Sequence, residues 1–141
     1  MPSIYIPPNL RRLVTSRAQG CCEYCLLAAD DAEFPHEIDH QVPIIHGGKT
    51  ESDNLVFACL KCNRYKGTNL AAFDPSDGSM WAVFNPRLQL WRDHFVLVGA
   101  FIIGLTHTGR ATAALLKLSD DDRVERRSAL IKAGKFPPPS Y

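Results

Sequence analysis

The chain has 141 residues, the length of one ordinary domain, with 45% apolar and 22% charged residues, the balance of a globular protein. Its 16 basic and 15 acidic residues leave a net charge of +1, which excludes a globally basic nucleic-acid binder, so any binding patch must be local. Met1 to Leu10 has no charged segment leading into an apolar run, and the most apolar stretch, Phe95 to Leu105, is 11 residues where a membrane helix needs about 20. A cytoplasmic protein with no membrane association is expected.

In chain order, Pro7-Pro8-Asn9 is a helix start, and Leu10, Leu13, Val14 and Ala18 recur at helical spacing up to Gly20. Arg11, Arg12 and Arg17 fall among the polar positions, as a solvated face or as phosphate contacts. Residues 21–70 hold most of the chemistry-bearing side chains. Thr68 to Ser79 reads as a connection with turns at Asp74-Pro75 and Asp77-Gly78, and Met80 to Phe84 as a short strand. Phe95 to Leu105 reads as two strands meeting near Gly99-Ala100. Thr106 or Thr108 caps a helix reaching Leu118, and Asp120 to Asp122 open a last helix ending near Ala133. The organisation expected is one domain: an N-terminal helix (1–20), a central core (21–70) and an α/β extension (71–141). In that extension Trp91, Phe95, Phe101 and Ile103 are expected to pack, while Arg87, Arg92 and Arg110 are candidates to extend a phosphate track.

Five cysteines include two matched pairs, Cys22-Glu-Tyr-Cys25 and Cys59-Leu-Lys-Cys62. Two thiolates separated by two residues reach one ion from a tight turn, and two such knuckles complete a tetrahedral four-sulfur shell, the usual closed structural zinc site. Cys21 is wrongly spaced for a knuckle and is expected to be a small buried residue. The pairs are separated by 33 residues, longer than the gap of an ordinary zinc ribbon, so the zinc clamps the ends of an insert.

The insert reads Glu37-Ile38-Asp39-His40-Gln41-Val42-Pro43, then His46-Gly47-Gly48-Lys49, then Asp53-Asn54-Leu55-Val56, and the second knuckle runs into Asn63-Arg64-Tyr65-Lys66-Gly67. Asp39 is a hard oxygen ligand suited to Mg²⁺ or Mn²⁺, and Asn63 offers a carbonyl oxygen to the same ion. His40 titrates near neutrality and can take a proton from water. Arg64 and Lys66 place positive charge where a phosphate can sit. The set suits metal-assisted phosphodiester cleavage. Taken singly each residue has a plainer role: Asn63 as a helix cap, Gly47-Gly48 as an ordinary loop, Lys66 as a solvated charge.

The pieces CEYC, EIDHQVPIIHGG, DNLVFAC and CLKCNRYKG together resemble an HNH endonuclease of the zinc-knuckle type, over about a third of the chain. The resemblance implies an α+β fold: a ββα-metal core with a CxxC…CxxC zinc site, flanked by the N-terminal helix and a C-terminal strand-plus-helix extension. It implies His40 as general base, Asp39 and Asn63 as ligands of a catalytic divalent ion, and Asn54 as the residue that holds the loop and so orients His40. Cys22, Cys25, Cys59 and Cys62 would hold structural zinc, with Arg64 and Lys66 facing nucleic acid. The third motif position is Asn63 rather than His, which favours Mg²⁺ or Mn²⁺ over a transition metal. FNPR (84–87), WRDHF (91–95) and GLTHTGRAT (104–112) resemble, more loosely, small free-standing bacterial HNH proteins.

The function expected is a metal-dependent DNA endonuclease that nicks once per active centre, acting as a monomer or homodimer. The alternative is a non-catalytic zinc module that binds nucleic acid or protein. It needs the four cysteines but not Asp39, His40 or Asn63.

Overall fold

A computed structural model describes residues 4–141. Helix α1 (Pro8–Arg17) starts on a proline that needs no N–H partner, and it buries Val14. Val14 packs with Ile6, Leu55 and Phe57 in a small core beneath the N-terminal helix. Arg17 is not part of a solvated face. Its guanidinium reaches back to the carbonyls of Ser52, at 2.6 Å, and Leu55, at 2.7 Å, tying the helix to the central core.

Strands β1 (Glu37–His40) and β2 (Leu55–Ala58) pair antiparallel, with His40 opposite Leu55 and Asp39 opposite Val56. All four β2 residues are buried, the pattern of a strand covered on both faces. Residues 41–54 form the long connection between the two strands. Helix α2 (Leu60–Lys66) follows β2 directly, and its N-cap is Cys59, whose sulfur accepts the Cys62 N–H at 3.4 Å. The second zinc knuckle and the helix start are therefore one structure, and Asn63 is not the cap. Hairpin, loop and helix give the ββα order the sequence resemblance implies, in a mixed α+β chain.

The extension holds two further two-stranded sheets. Strands β3 (Ala71–Phe73) and β4 (Met80–Ala82) pair where the sequence suggests only a connection before Met80. Ala-Ala-Phe has no alternating pattern, and the strand exists because its partner does. A short helix, α3 (Trp91–His94), runs into the hairpin β5 (Phe95–Val98) and β6 (Phe101–Gly104), which turns at Gly99-Ala100 as expected. Trp91 and Phe95 are buried, but Phe101 and Ile103 lie on the open face of the hairpin, 48% and 42% exposed, because strand residues alternate and it is Phe95, Leu97 and Ile102 that turn inward. Helix α4 (His107–Leu115) is capped by the Thr106 hydroxyl, which accepts the Gly109 N–H at 2.9 Å. A Cβ at Gly109 would sit 2.1 Å from the His94 carbonyl, so only glycine lets α4 rest on the strand entry. Helix α5 (Asp121–Lys132) closes the chain with Asp121 and Asp122 in its first turn.

The main core joins Cys22, Tyr24, Cys25, Val56, Cys59 and Cys62 to Phe84, Trp91, Phe95, Ile102, Leu116, Leu118 and Phe136. The two knuckles thus lie in the middle of the apolar packing, shared between the central core and the extension. Cys21, by contrast, is only half-buried and stands apart. Among the described residues no helix is long and apolar enough to cross a membrane.

Candidate active site and metal centre

The four knuckle cysteines are buried, with sulfurs within 4.8 Å of one another and Cys25 Sγ 3.7 Å from Cys59 Sγ. A zinc–sulfur bond of about 2.3 Å sets the edge of a tetrahedron at about 3.8 Å. The spacing fits four ligands of one zinc ion and is far from a disulfide, whose sulfurs sit about 2.05 Å apart.

The charge around the cluster points the same way. Arg123 of α5 is buried, and its Nη2 donates to Cys62 Sγ at 3.1 Å and Cys59 Sγ at 3.7 Å. Burial works against the guanidinium charge, but the thiolates of Cys62 and Cys25 more than offset it and raise its pKa. Arg127, one turn on, is also buried and donates to the carbonyls of Ala100, at 2.6 Å, and Leu118, at 2.9 Å. Among the described residues neither arginine has a carboxylate partner. Buried cations need a counter-charge, and a four-thiolate zinc site carries one.

The second constellation sits between β1 and α2. Glu37 and Asp39 point to one side of β1, while Asn63 and Lys66, three residues apart, share one side of α2. They meet as two rungs: Asn63 Nδ2 donates to Glu37 Oε2 at 2.6 Å, and Lys66 Nζ lies 3.1 Å from Asp39 Oδ2. Asp39 and Asn63 are the diagonal pair of this ladder. The Asp39–Lys66 contact is an ion pair without hydrogen-bond alignment, so Oδ2 remains buried with no hydrogen-bond partner. Burial raises the Asp39 pKa, with Lys66 opposing. A buried carboxylate oxygen whose close partner is an ammonium rather than a hydrogen-bond donor in line, with an asparagine on the facing helix, supplies the kind of oxygen donors that suit a hard divalent cation.

Lys66 corrects the sequence expectation. It is fully buried, and its ammonium is divided between Asp39 and the His40 carbonyl, 3.2 Å away. It therefore cannot serve as a surface contact to phosphate. The stem runs through the core because α2 turns that face inward onto β1. Arg64 remains outside and makes no ion pair or hydrogen bond among the described residues. The other arginines of the expected track are engaged. Arg87 pairs with Glu23, Arg110 with Asp74 at 3.0 Å, and Arg92 with the Tyr141 carbonyl at 2.6 Å. Asp74 thereby belongs to a cluster with Asp77 and His107, where Arg110 offsets the Asp74 charge and His107 Nδ1 lies 2.7 Å from Asp74 Oδ2.

His40 ends β1 with its ring mostly covered and Nε2 2.9 Å from the Thr50 hydroxyl. Burial, with Lys66 nearby, lowers its pKa, which keeps the imidazole neutral at physiological pH. Asn54 clamps the loop after it with its whole amide. Oδ1 accepts Val42 N–H at 2.8 Å, and Nδ2 donates to the carbonyls of Val42 and Lys49, each at 2.9 Å. Its own carbonyl accepts Gln41 N–H at 2.9 Å. His46, on the same loop, is exposed and reaches the Thr68 carbonyl at 3.0 Å.

Gly48 and Thr50 belong to this assembly, although Gly48 reads in the sequence as an ordinary loop residue at the end of the EIDHQVPIIHGG piece and no motif singles out Thr50. A Cβ on Gly48 would lie 1.7 Å from the Val42 carbonyl oxygen and 2.9 Å from Asn54 Nδ2. Gly48 is thus required by contact rather than by an ordinary turn. Gly48→Ala is expected to cost about 1–3 kcal/mol, the usual range for overpacking, and to loosen the clamp. Hydrogen exchange at the Val42 amide checks this, and undiminished protection there would be the contrary result.

Residues 22–69 match the family model described as HNH endonuclease. These residues form an HNH endonuclease domain. The match begins at the first knuckle and ends just beyond α2, so it contains both cysteine pairs and both rungs of the ladder. The chain is also similar to a Septu protein PtuB of Bacillus thuringiensis, 23% identical over 129 residues, which cover 86% of this chain and 46% of that protein. The chain therefore spans about half the length of that relative. Residues 22–69 are thus the nuclease-like part of the chain by similarity, and the four clustered cysteines within them form a candidate zinc site.

Proposed function

We propose that the chain is a metal-dependent endonuclease that hydrolyses phosphodiester bonds in DNA, nicking one strand per active centre. The observation that carries the reading is Asp39 Oδ2, buried beside the general-base candidate His40 and lacking a hydrogen-bond partner. Asp39 and Asn63 would hold the ion, and oxygen donors alone suit Mg²⁺ or Mn²⁺. When bound, such an ion supplies Lewis-acid stabilisation of the phosphate and leaving-oxygen charge.

With His40 Nε2 engaged by the Thr50 hydroxyl at 2.9 Å, Nδ1 is the ring nitrogen left to take a proton from the attacking water, in the tautomer whose Nε2–H donates to Thr50. Asn54 holds the backbone on which the ring is carried, and Lys66 holds the His40 carbonyl and offsets part of the Asp39 charge. Arg64 contacts the phosphate backbone from the exposed side of α2. Residues 71–141 act with the HNH domain as one unit, since the core around the knuckles is completed by Phe84, Trp91 and Leu116.

The Lys66–Asp39 ion pair favours a second reading, in which the lysine takes the place of the ion and the chain is a non-catalytic zinc module for nucleic acid or protein. Supercoiled plasmid incubated with Mg²⁺ or Mn²⁺ separates the two. The expected result is conversion to nicked circles by the wild type, stopped by EDTA and by His40→Ala. Equal nicking by wild type and His40→Ala, or none at all, rejects the endonuclease.

A further inference from the structure

Glu37 lies outside the proposed catalytic set, yet it makes the shortest side-chain contact to the proposed ion ligands. Its Oε2 accepts from Asn63 Nδ2 at 2.6 Å, while the carboxylate itself stays exposed at the rim of the site. An asparagine amide has two faces of opposite sense: the oxygen can ligate a cation, and the NH₂ group repels one. Nothing in the covalent structure of Asn63 chooses between them, because a half-turn about the terminal torsion exchanges the two with little change in shape. A carboxylate accepts and cannot donate, so Glu37 satisfies only the NH₂ end. With Nδ2 held by Glu37, Oδ1 is the end of the amide left without a hydrogen-bond partner among the described residues, and so the end available to a cation.

We propose that Glu37 is a positioning residue that locks the Asn63 amide with its oxygen facing the divalent ion. The inference rests on the reading of Asp39 and Asn63 as ligands of that ion. Glu37 acts through Asn63, and it also adds negative charge at the rim where Lys66 has offset part of the charge of Asp39. Outer-shell partners of this kind typically govern about 10–100-fold in metal affinity.

The test is Mn²⁺ binding to the zinc-loaded full chain, read by the electron paramagnetic resonance signal of free Mn²⁺ or by calorimetry. Zinc content and circular dichroism verify the fold of each variant. Glu37→Ala is expected to weaken Mn²⁺ binding roughly 10–100-fold. Glu37→Gln, whose carbonyl can accept the same bond, should recover most of it. The decisive arm is Asn63→Asp: a carboxylate has no wrong face, so in that background Glu37→Ala should no longer weaken binding.

Full Mn²⁺ affinity in Glu37→Ala, in a chain where Asp39→Ala abolishes binding, overturns the positioning role alone. So does an equal loss from Glu37→Ala in the wild-type and Asn63→Asp backgrounds, which marks a direct charge effect. If Asp39→Ala and Asn63→Ala leave binding untouched, the ion site itself falls and the positioning role with it.

Discussion

Removing zinc, by chelation or by Cys62→Ser, is expected to unfold the centre of the protein and release α5 in the same step. A four-cysteine zinc site contributes on the order of 10–16 kcal/mol of apparent binding energy in zinc-finger peptides, while whole domains are stable by only about 5–15 kcal/mol. Here the four sulfurs sit inside the main core rather than at its edge, so loss of the ion that joins them is felt by Val56, Phe84 and Leu116 alike.

The release of α5 follows from charge. Arg123 and Arg127 are buried, and their compensation comes from the sulfurs of Cys59 and Cys62 and from backbone carbonyls. If the thiols protonate when the metal leaves, two guanidinium charges are left buried without a counter-charge, which costs several kcal/mol per ion. Exposure of α5 relieves that cost. Metal analysis should find one zinc per chain, and hydrogen exchange should show the amides of Asp121–Lys132 losing protection together with those of α2. Protection of α5 that survives zinc removal would rule out the coupling.

His40→Ala should slow DNA nicking about 10²–10⁴-fold, the usual loss on removing a general base. It should leave zinc content unchanged and cost little stability, because the ring gives up one side-chain hydrogen bond, to Thr50, worth about 1 kcal/mol. That separation of activity from folding distinguishes it from Gly48→Ala, which acts on the loop itself. Thr50→Val is the graded control. It keeps the imidazole but removes the hydroxyl that holds Nε2 in place, and a loss of about one hydrogen bond, roughly fivefold in rate, is expected. A single-turnover nicking assay reads all three variants. A wild-type rate in His40→Ala would remove this residue from the chemistry.

Much of the site was legible because its logic is local. The Cys-x-x-Cys knuckles announce themselves, since two residues of spacing are all that a shared ion requires, and Cys59 doubles as the cap of α2 for the same reason. Asp39-His40, Asn54 and Asn63 were recognisable by type and order, and the structure brings Asp39 and Asn63 onto facing sides of β1 and α2. The hairpin at Gly99-Ala100 and the start of α5 were likewise written in turn and capping residues.

Other roles depend on a neighbour distant in the chain. Lys66 reads as a solvated cation until α2 docks and buries it against Asp39. Gly48 reads as an ordinary loop glycine until the Val42 carbonyl closes on it. Arg123 reads as one charge on an exposed last helix until its guanidinium is found on two sulfurs of the metal cluster. The sequence alone determined which atoms are available for a zinc site and for the proposed hard-cation site, because ligand chemistry and short spacings are properties of the local chain. Tertiary structure alone decided which charges are buried, and therefore which must be paired, because desolvation arises only when distant segments pack together.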